Sequence, residues 1–142
     1  MSKIQVVLDT SVIFAALHSR EGASHKLLMF LDQGVYENNV STPLVLEYEA
    51  TLKKKKEELA LSSTEIEKFV DYLCTLSNRK KVFFLWRPTL NDPNDEMVLE
   101  VAVASSVSFI VTFNKRDFSN ASKFGIVVLN PAEFLKILEI KK

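Results

Sequence analysis

The sequence predicts a three-layer α/β domain around a mainly parallel central sheet. Two observations carry this reading. Short apolar runs of strand character alternate with longer segments that show helix periodicity and helix-start signals. The length, 142 residues, suits one domain with a continuous core, and no repeat, low-complexity stretch or linker interrupts the alternation.

The elements follow in order. Ile4 to Leu8 is an apolar strand, ended by Asp9, Thr10 and Ser11, any of which can cap a helix over Val12 to Leu17. A second helix, Ala23 to Asp32, stops before Gly34, and Val35 to Val40 holds a short strand. Thr42-Pro43 supplies a capping hydroxyl and a proline preset for the first turn of a helix running to Glu58. Ser62-Ser63-Thr64, followed by Glu65 and Glu67, opens another helix that reaches Leu76. Val82 to Leu85 reads as a strand and Arg87 to Pro93 as a loop. Asn94 or Asp95 starts a helix with Met97, Val98, Val101, Ala102 and Ala104 at helical spacing. Val107 to Thr112 is the most strand-like run in the chain; a loop with Asn114 and Asp117 leads to a last strand, Ile126 to Leu129. Asn130-Pro131 then begins a closing helix to Leu138.

Composition excludes several classes. No apolar run approaches the roughly 20 residues that a membrane helix needs. Residues 1–20 lack the basic start and apolar middle of a secretion signal, so a cytoplasmic location is expected. Cys74, the single cysteine, can form no internal disulfide and has no ligand-spaced companion for zinc. Basic and acidic residues balance at 18 each, so no bulk positive field draws in nucleic acid. The three glycines fall in no GxGxxG or GxxxxGK[ST] pattern.

Four acids, Asp9, Glu47, Asp95 and Asp117, each fall where a strand hands over to a helix or loop. In an open parallel sheet the carboxyl ends of the strands share one crevice, which can make neighbours of acids distant in sequence. Clustered carboxylates repel unless a cation sits among them, and oxygen donors point to a hard divalent metal. Each acid also has a plainer reading. Asp9 and Asp95 suit helix capping, and Glu47 suits an exposed helix position despite its apolar flank of Leu44, Val45 and Leu46.

Taken together, the segments VVLDTSV, TPLVLEYEATL, DPNDEMVLEVAVA and IVTFNKRDF, in that order and spacing, resemble the PIN domain, and especially the VapC-type toxins of toxin–antitoxin modules. The likeness runs from Ile4 to about Leu135. It implies a three-layer α/β/α PIN-like domain over 1–142 and a metal-dependent ribonuclease that hydrolyses RNA with Mg²⁺ or Mn²⁺. It also implies a small antitoxin partner and a homodimer; the lack of a long apolar run argues against membrane association. Carried over residue by residue, Asp9 matches the acid after the first strand, Glu47 the acid of the helix after the second, and Asp95 the acid before the alanine-containing helix. Thr112, Asn114, Asp117 and Phe118 match a TxNxxDF form of the last motif. Many relatives carry aspartate where Asn114 stands, so either Asp117 takes the place of the fourth acid or the site works with three carboxylates.

On this reading Asp9 is the central or bridging metal ligand, with Asp95 and Asp117 beside it and Glu47 opposite. Ser11, Thr112 and Asn114 are supporting residues, while Lys115 and Arg116, in the same loop, are candidates to meet a substrate phosphate. Other signals are weaker. Lys53 to Lys56 sweep around a helix, because successive residues turn by about 100°, and Glu57 and Glu58 fit salt pairing with Lys53 and Lys54. His18 and His25 are isolated, and Trp86 suits partial burial better than base stacking.

Two rival functions stand beside the nuclease. One is a PIN-like module that binds RNA or protein without cutting, favoured by Asn114. The other is an aspartyl phosphatase, disfavoured because Ser11 occupies the place of a required second aspartate.

Overall fold

The computed structural model describes residues 3–81 and 93–141, with the backbone alone at 93–95 and 141. Its elements are β1 (Gln5–Leu8), α1 (Thr10–His18), α2 (Ala23–Asp32), β2 (Glu37–Val40), α3 (Thr42–Lys54), α4 (Lys56–Leu59) and α5 (Ser63–Thr75). They continue with β3 (Ser77–Arg79), α6 (Pro93–Ala104), β4 (Phe109–Val111), a 3₁₀ segment (Lys115–Phe124), β5 (Val127–Leu129) and α7 (Pro131–Lys141).

The strands form one sheet in the order β3-β2-β1-β4-β5, and every described pairing is parallel. Consecutive strand residues point to opposite faces. Val6, Val7 and Leu8 are all buried, as are Ile110 and Val111, so helices must cover both faces, giving the three-layer α/β/α architecture. Tyr36, buried before β2, shows how a layer is tied down: its hydroxyl donates to Leu27 O at 2.7 Å, and its ring meets Phe134 of α7 edge-on at 5.0 Å.

Local signals explain the helix ends. Ser41 accepts from Leu44 N at the start of α3, and Ser62 with Glu65 forms a reciprocal capping box at α5. Asn130 and Glu133 exchange side-chain-to-backbone bonds of 2.8 Å at α7. The Asn130 N–H and then Lys115 hold the Glu133 carboxyl below its usual range.

Three expectations need correction. The helix from Thr42 does not run to Glu58; it breaks at Lys55, whose φ of −107° and ψ of 18° leave the helical region. Lys53 pairs with Glu49 and Glu67 instead of Glu57, and the Lys55 ammonium lies 4.5 Å from the Phe14 ring centroid. The loop after Thr112 is a 3₁₀ segment, kinked at Phe118. An additional strand, Ser77–Arg79, forms a sheet edge. The strand expected over Val82 to Leu85, the loop from Arg87 and Trp86 lie outside the described residues.

The chain crosses the sheet in one direction through β1, β2 and β3, then returns to place β4 and β5 on the other side of β1. The strand order therefore reverses between β1 and β4, and the carboxyl ends of those strands flank the switch point where α/β sheets bind ligands. On its other side β1 parts from β2. Their register runs only through Gln5↔Glu37 and Val6↔Asn38, whereas β1 follows β4 to Leu8↔Val111. Buried backbone groups need partners, and two side chains serve Leu8: its N–H donates to Asn38 Oδ1 at 2.9 Å, and its carbonyl accepts from the Tyr48 hydroxyl. Tyr48 thus fixes α3 to the end of β1.

Tyr48→Phe is expected to cost about 1–3 kcal/mol, because it leaves a buried carbonyl without its donor. Urea unfolding measures this directly. A loss under about 0.5 kcal/mol would mean that the hydroxyl does not hold the strand end.

Candidate functional site

Asp9 ends β1 and caps α1, with extended φ of −68° and ψ of 155°. The residue is only 6% exposed. One oxygen, Oδ1, accepts from the Thr10 N–H at 2.8 Å. The other, Oδ2, accepts from the Ser11 hydroxyl at 2.8 Å and the Thr112 hydroxyl at 2.7 Å. Thr112 immediately follows β4, so this bond closes the switch point across residues 103 positions apart.

A hydroxyl carries one proton, which fixes the direction of these bonds. Thr112 Oγ1 accepts from the Asn114 N–H at 3.0 Å and gives its own proton to Asp9. Ser11 Oγ accepts from the Phe113 N–H at 3.4 Å and does the same. Two relays therefore run from the backbone after β4 through a hydroxyl to one carboxylate oxygen. Bonds chained in this way polarise one another. All three donors to Asp9 are neutral, and an ionised carboxylate has about four lone-pair sites, so accepting capacity remains for a further partner.

The other expected residues are placed as follows. Glu47 lies half-buried on α3, and its Oε1 accepts from the Thr51 hydroxyl at 2.9 Å. Asp117 is exposed in the 3₁₀ segment, where its N–H donates to Asn114 O at 3.0 Å. Arg116 is exposed. Lys115 turns to Glu133, with 3.0 Å and 3.3 Å between its Nζ and the two carboxylate oxygens. The side chain of Asp95 lies outside the described residues. Among the described residues, no three His, Cys, Asp or Glu side chains stand close enough to hold a metal ion. What is brought together is Asp9 with Ser11, Thr112 and the backbone of Phe113 and Asn114.

The sequence reading passed over Glu96 and Glu100. Both lie on α6 and are 2% and 5% exposed, rare burial for glutamate. They stand four residues apart and so share one helix face, on a helix that packs against β1 and α3. Those elements end at Asp9 and carry Glu47. The available signal was two acids at helical spacing within the apolar run EMVLEVAVA, obscured by the more conspicuous turn-forming NDPND before it.

Comparison with known proteins adds a family and a fold. The PIN domain family profile matches residues 5–116. No curated protein matches the sequence. Among solved structures, that of VapBC2 from Rickettsia felis, bound to a DNA fragment from their promoter, is similar with a TM-score of 0.64. Identity is 14%, and the alignment covers 89% of this chain and 98% of the other.

Proposed function

The chain belongs to the PIN domain family, and from that premise we propose that it is a metal-dependent endoribonuclease, the toxin of a toxin–antitoxin module. The observation that carries this reading is the buried Asp9 carboxylate at the switch point, held on one oxygen by two backbone-to-hydroxyl relays. The substrate is single-stranded or looped RNA. A small antitoxin covers the acid crevice, and two copies of the chain form a homodimer. The similar VapBC2 structure supports the antitoxin as a partner.

Carboxylate oxygens such as those of Asp9 are the donors that magnesium and manganese prefer, and both ions retain several waters. Asp9 is the central ligand, with Asp95, Asp117 and Glu47 as further candidates and Glu96 added for its burial on the helix against β1. When bound, the metal supplies an activated water and charge stabilisation at the phosphate. Ser11 and Thr112 orient the Asp9 carboxylate, and the capping turn of α1 keeps Oδ1 engaged by a neutral donor. Arg116, exposed two residues after Asn114, is a candidate to meet a phosphate; Lys115 can do so by leaving Glu133.

Thr112→Val keeps the shape but removes one relay. It is expected to lower metal affinity or cleavage about 10- to 100-fold, as loss of an orienting partner does at metal sites. Manganese titration calorimetry and an RNA cleavage assay with and without EDTA test both points. Wild-type protein that neither takes up manganese nor cuts RNA with it would overturn the nuclease reading. RNA or protein binding without metal uptake would support the binding-only module, which the neutral Asn114 side chain favours.

A further inference from the structure

A groove of ≈ 460 Å³ opens beside the Asp9 site, between the start of α2, the start of α7 and the turn after β4. That volume lies within the roughly 300–1,000 Å³ of pockets that hold small organic groups. Ala15, Ala23, Phe113 and Pro131 give it apolar walls, while Ser19, Lys115 and Asn130 are polar residues of its lining.

Three features mark it as a place for a ligand. Phe113 is 53% exposed and presents a large aromatic ring to solvent at the groove. Ser24 is 3% exposed, and its Oγ has no hydrogen-bond partner. Buried hydroxyls are ordinarily paired. Third, α2 begins at Gly22 without a side-chain cap, leaving the N–H groups of its first turn to an outside acceptor. Apolar walls with a few convergent polar groups suit a flat ring with a polar edge, and they disfavour a bare phosphate.

The groove is also continuous with the proposed site. Phe113 lies between Thr112 and Asn114, and its N–H feeds the Ser11 hydroxyl that holds Asp9. Phe113 therefore joins the groove to the residues that hold Asp9. Lys115, on the rim, can meet a phosphate.

We infer that a base of single-stranded RNA adjacent to the scissile phosphate stacks on Phe113 and lodges in this groove; this rests on the nuclease reading above. The test is fluorescence anisotropy of a short labelled RNA on the full chain in EDTA, where no cutting interferes. Phe113→Ala is expected to weaken binding roughly 5- to 150-fold, the loss that base–aromatic stacking gives, and Phe113→Trp to retain it. An abasic scan of the RNA should find one position whose removal weakens wild-type binding and has no further effect on Phe113→Ala.

Equal affinity of wild type and Phe113→Ala, or the lack of any coupled abasic position, overturns the inference. Circular dichroism confirms that the variant is folded. The two failures are separable: manganese-dependent cleavage with an unchanged Phe113→Ala affinity removes the base site and keeps the nuclease. Coupled, base-dependent binding without cleavage in manganese removes the nuclease and keeps the base site.

Discussion

Asp9→Asn is expected to lower magnesium- or manganese-dependent RNA cleavage by on the order of 10³-fold or more, because it removes the charge at the centre of the proposed site. The substitution is not structurally silent. The Thr10 N–H approaches Oδ1, while two hydroxyls point their protons at Oδ2. Asparagine has one acceptor oxygen and one amide. Whichever way it turns, the amide faces a donor, and each hydroxyl already accepts from the backbone at Phe113 or Asn114. A stability loss of about 1–3 kcal/mol is therefore expected beside the activity loss, although asparagine caps helices as well as aspartate does. Cleavage and urea unfolding on one preparation separate the effects. A folded variant that still cuts RNA at the wild-type, metal-dependent rate would remove Asp9 from the centre of the chemistry.

Phe118→Ala carries the largest expected stability effect, about 3–5 kcal/mol, the usual cost of truncating a buried phenylalanine. Phe118 is 1% exposed at the kink of the 3₁₀ segment, with φ of −114° and ψ of 26°. It is the apolar anchor of a stretch whose neighbours from Phe113 to Asp117 are all exposed. The backbone of that stretch feeds the Thr112 relay to Asp9 through Asn114. Cleavage should therefore fall even at temperatures where the variant stays folded. Calorimetric melting with activity measured well below the transition checks both parts. A cost under about 1 kcal/mol would show that this loop is not held by the core.

Periodicity made the strongly patterned elements legible. The helix over Ala23 to Asp32 matches the prediction at both ends, and the strands at Leu8, Val111 and Leu129 end where their apolar runs do, within a residue. The edge strand Ser77–Arg79 has no apolar pattern to read, since it pairs with β2 alone and little of it is buried. Lys55 broke a helix that propensity would have continued. Its side chain lies over Phe14, a contact that no local rule contains.

The candidate site divides in the same way. Asp9, Ser11, Thr112 and Asn114 were nameable because strand-end positions and hydroxyl-rich motifs lie in the local sequence. The burial of Glu96 and Glu100, the pairing of Lys115 with Glu133, and the exposed Phe113 beside a groove were not.

What the sequence determined by itself was the α/β alternation and the strand-end placement of Asp9, because apolar spacing and capping chemistry act over a few residues. Which residues meet was decided by the tertiary structure. The crossing from β3 back to β4 sets Thr112 against Asp9, and the parting of β1 from β2 calls Asn38 and Tyr48 to the Leu8 backbone. Those contacts join positions 30 to 103 residues apart. They exist because a sheet covered on both faces must satisfy every buried polar group from whatever the fold brings near.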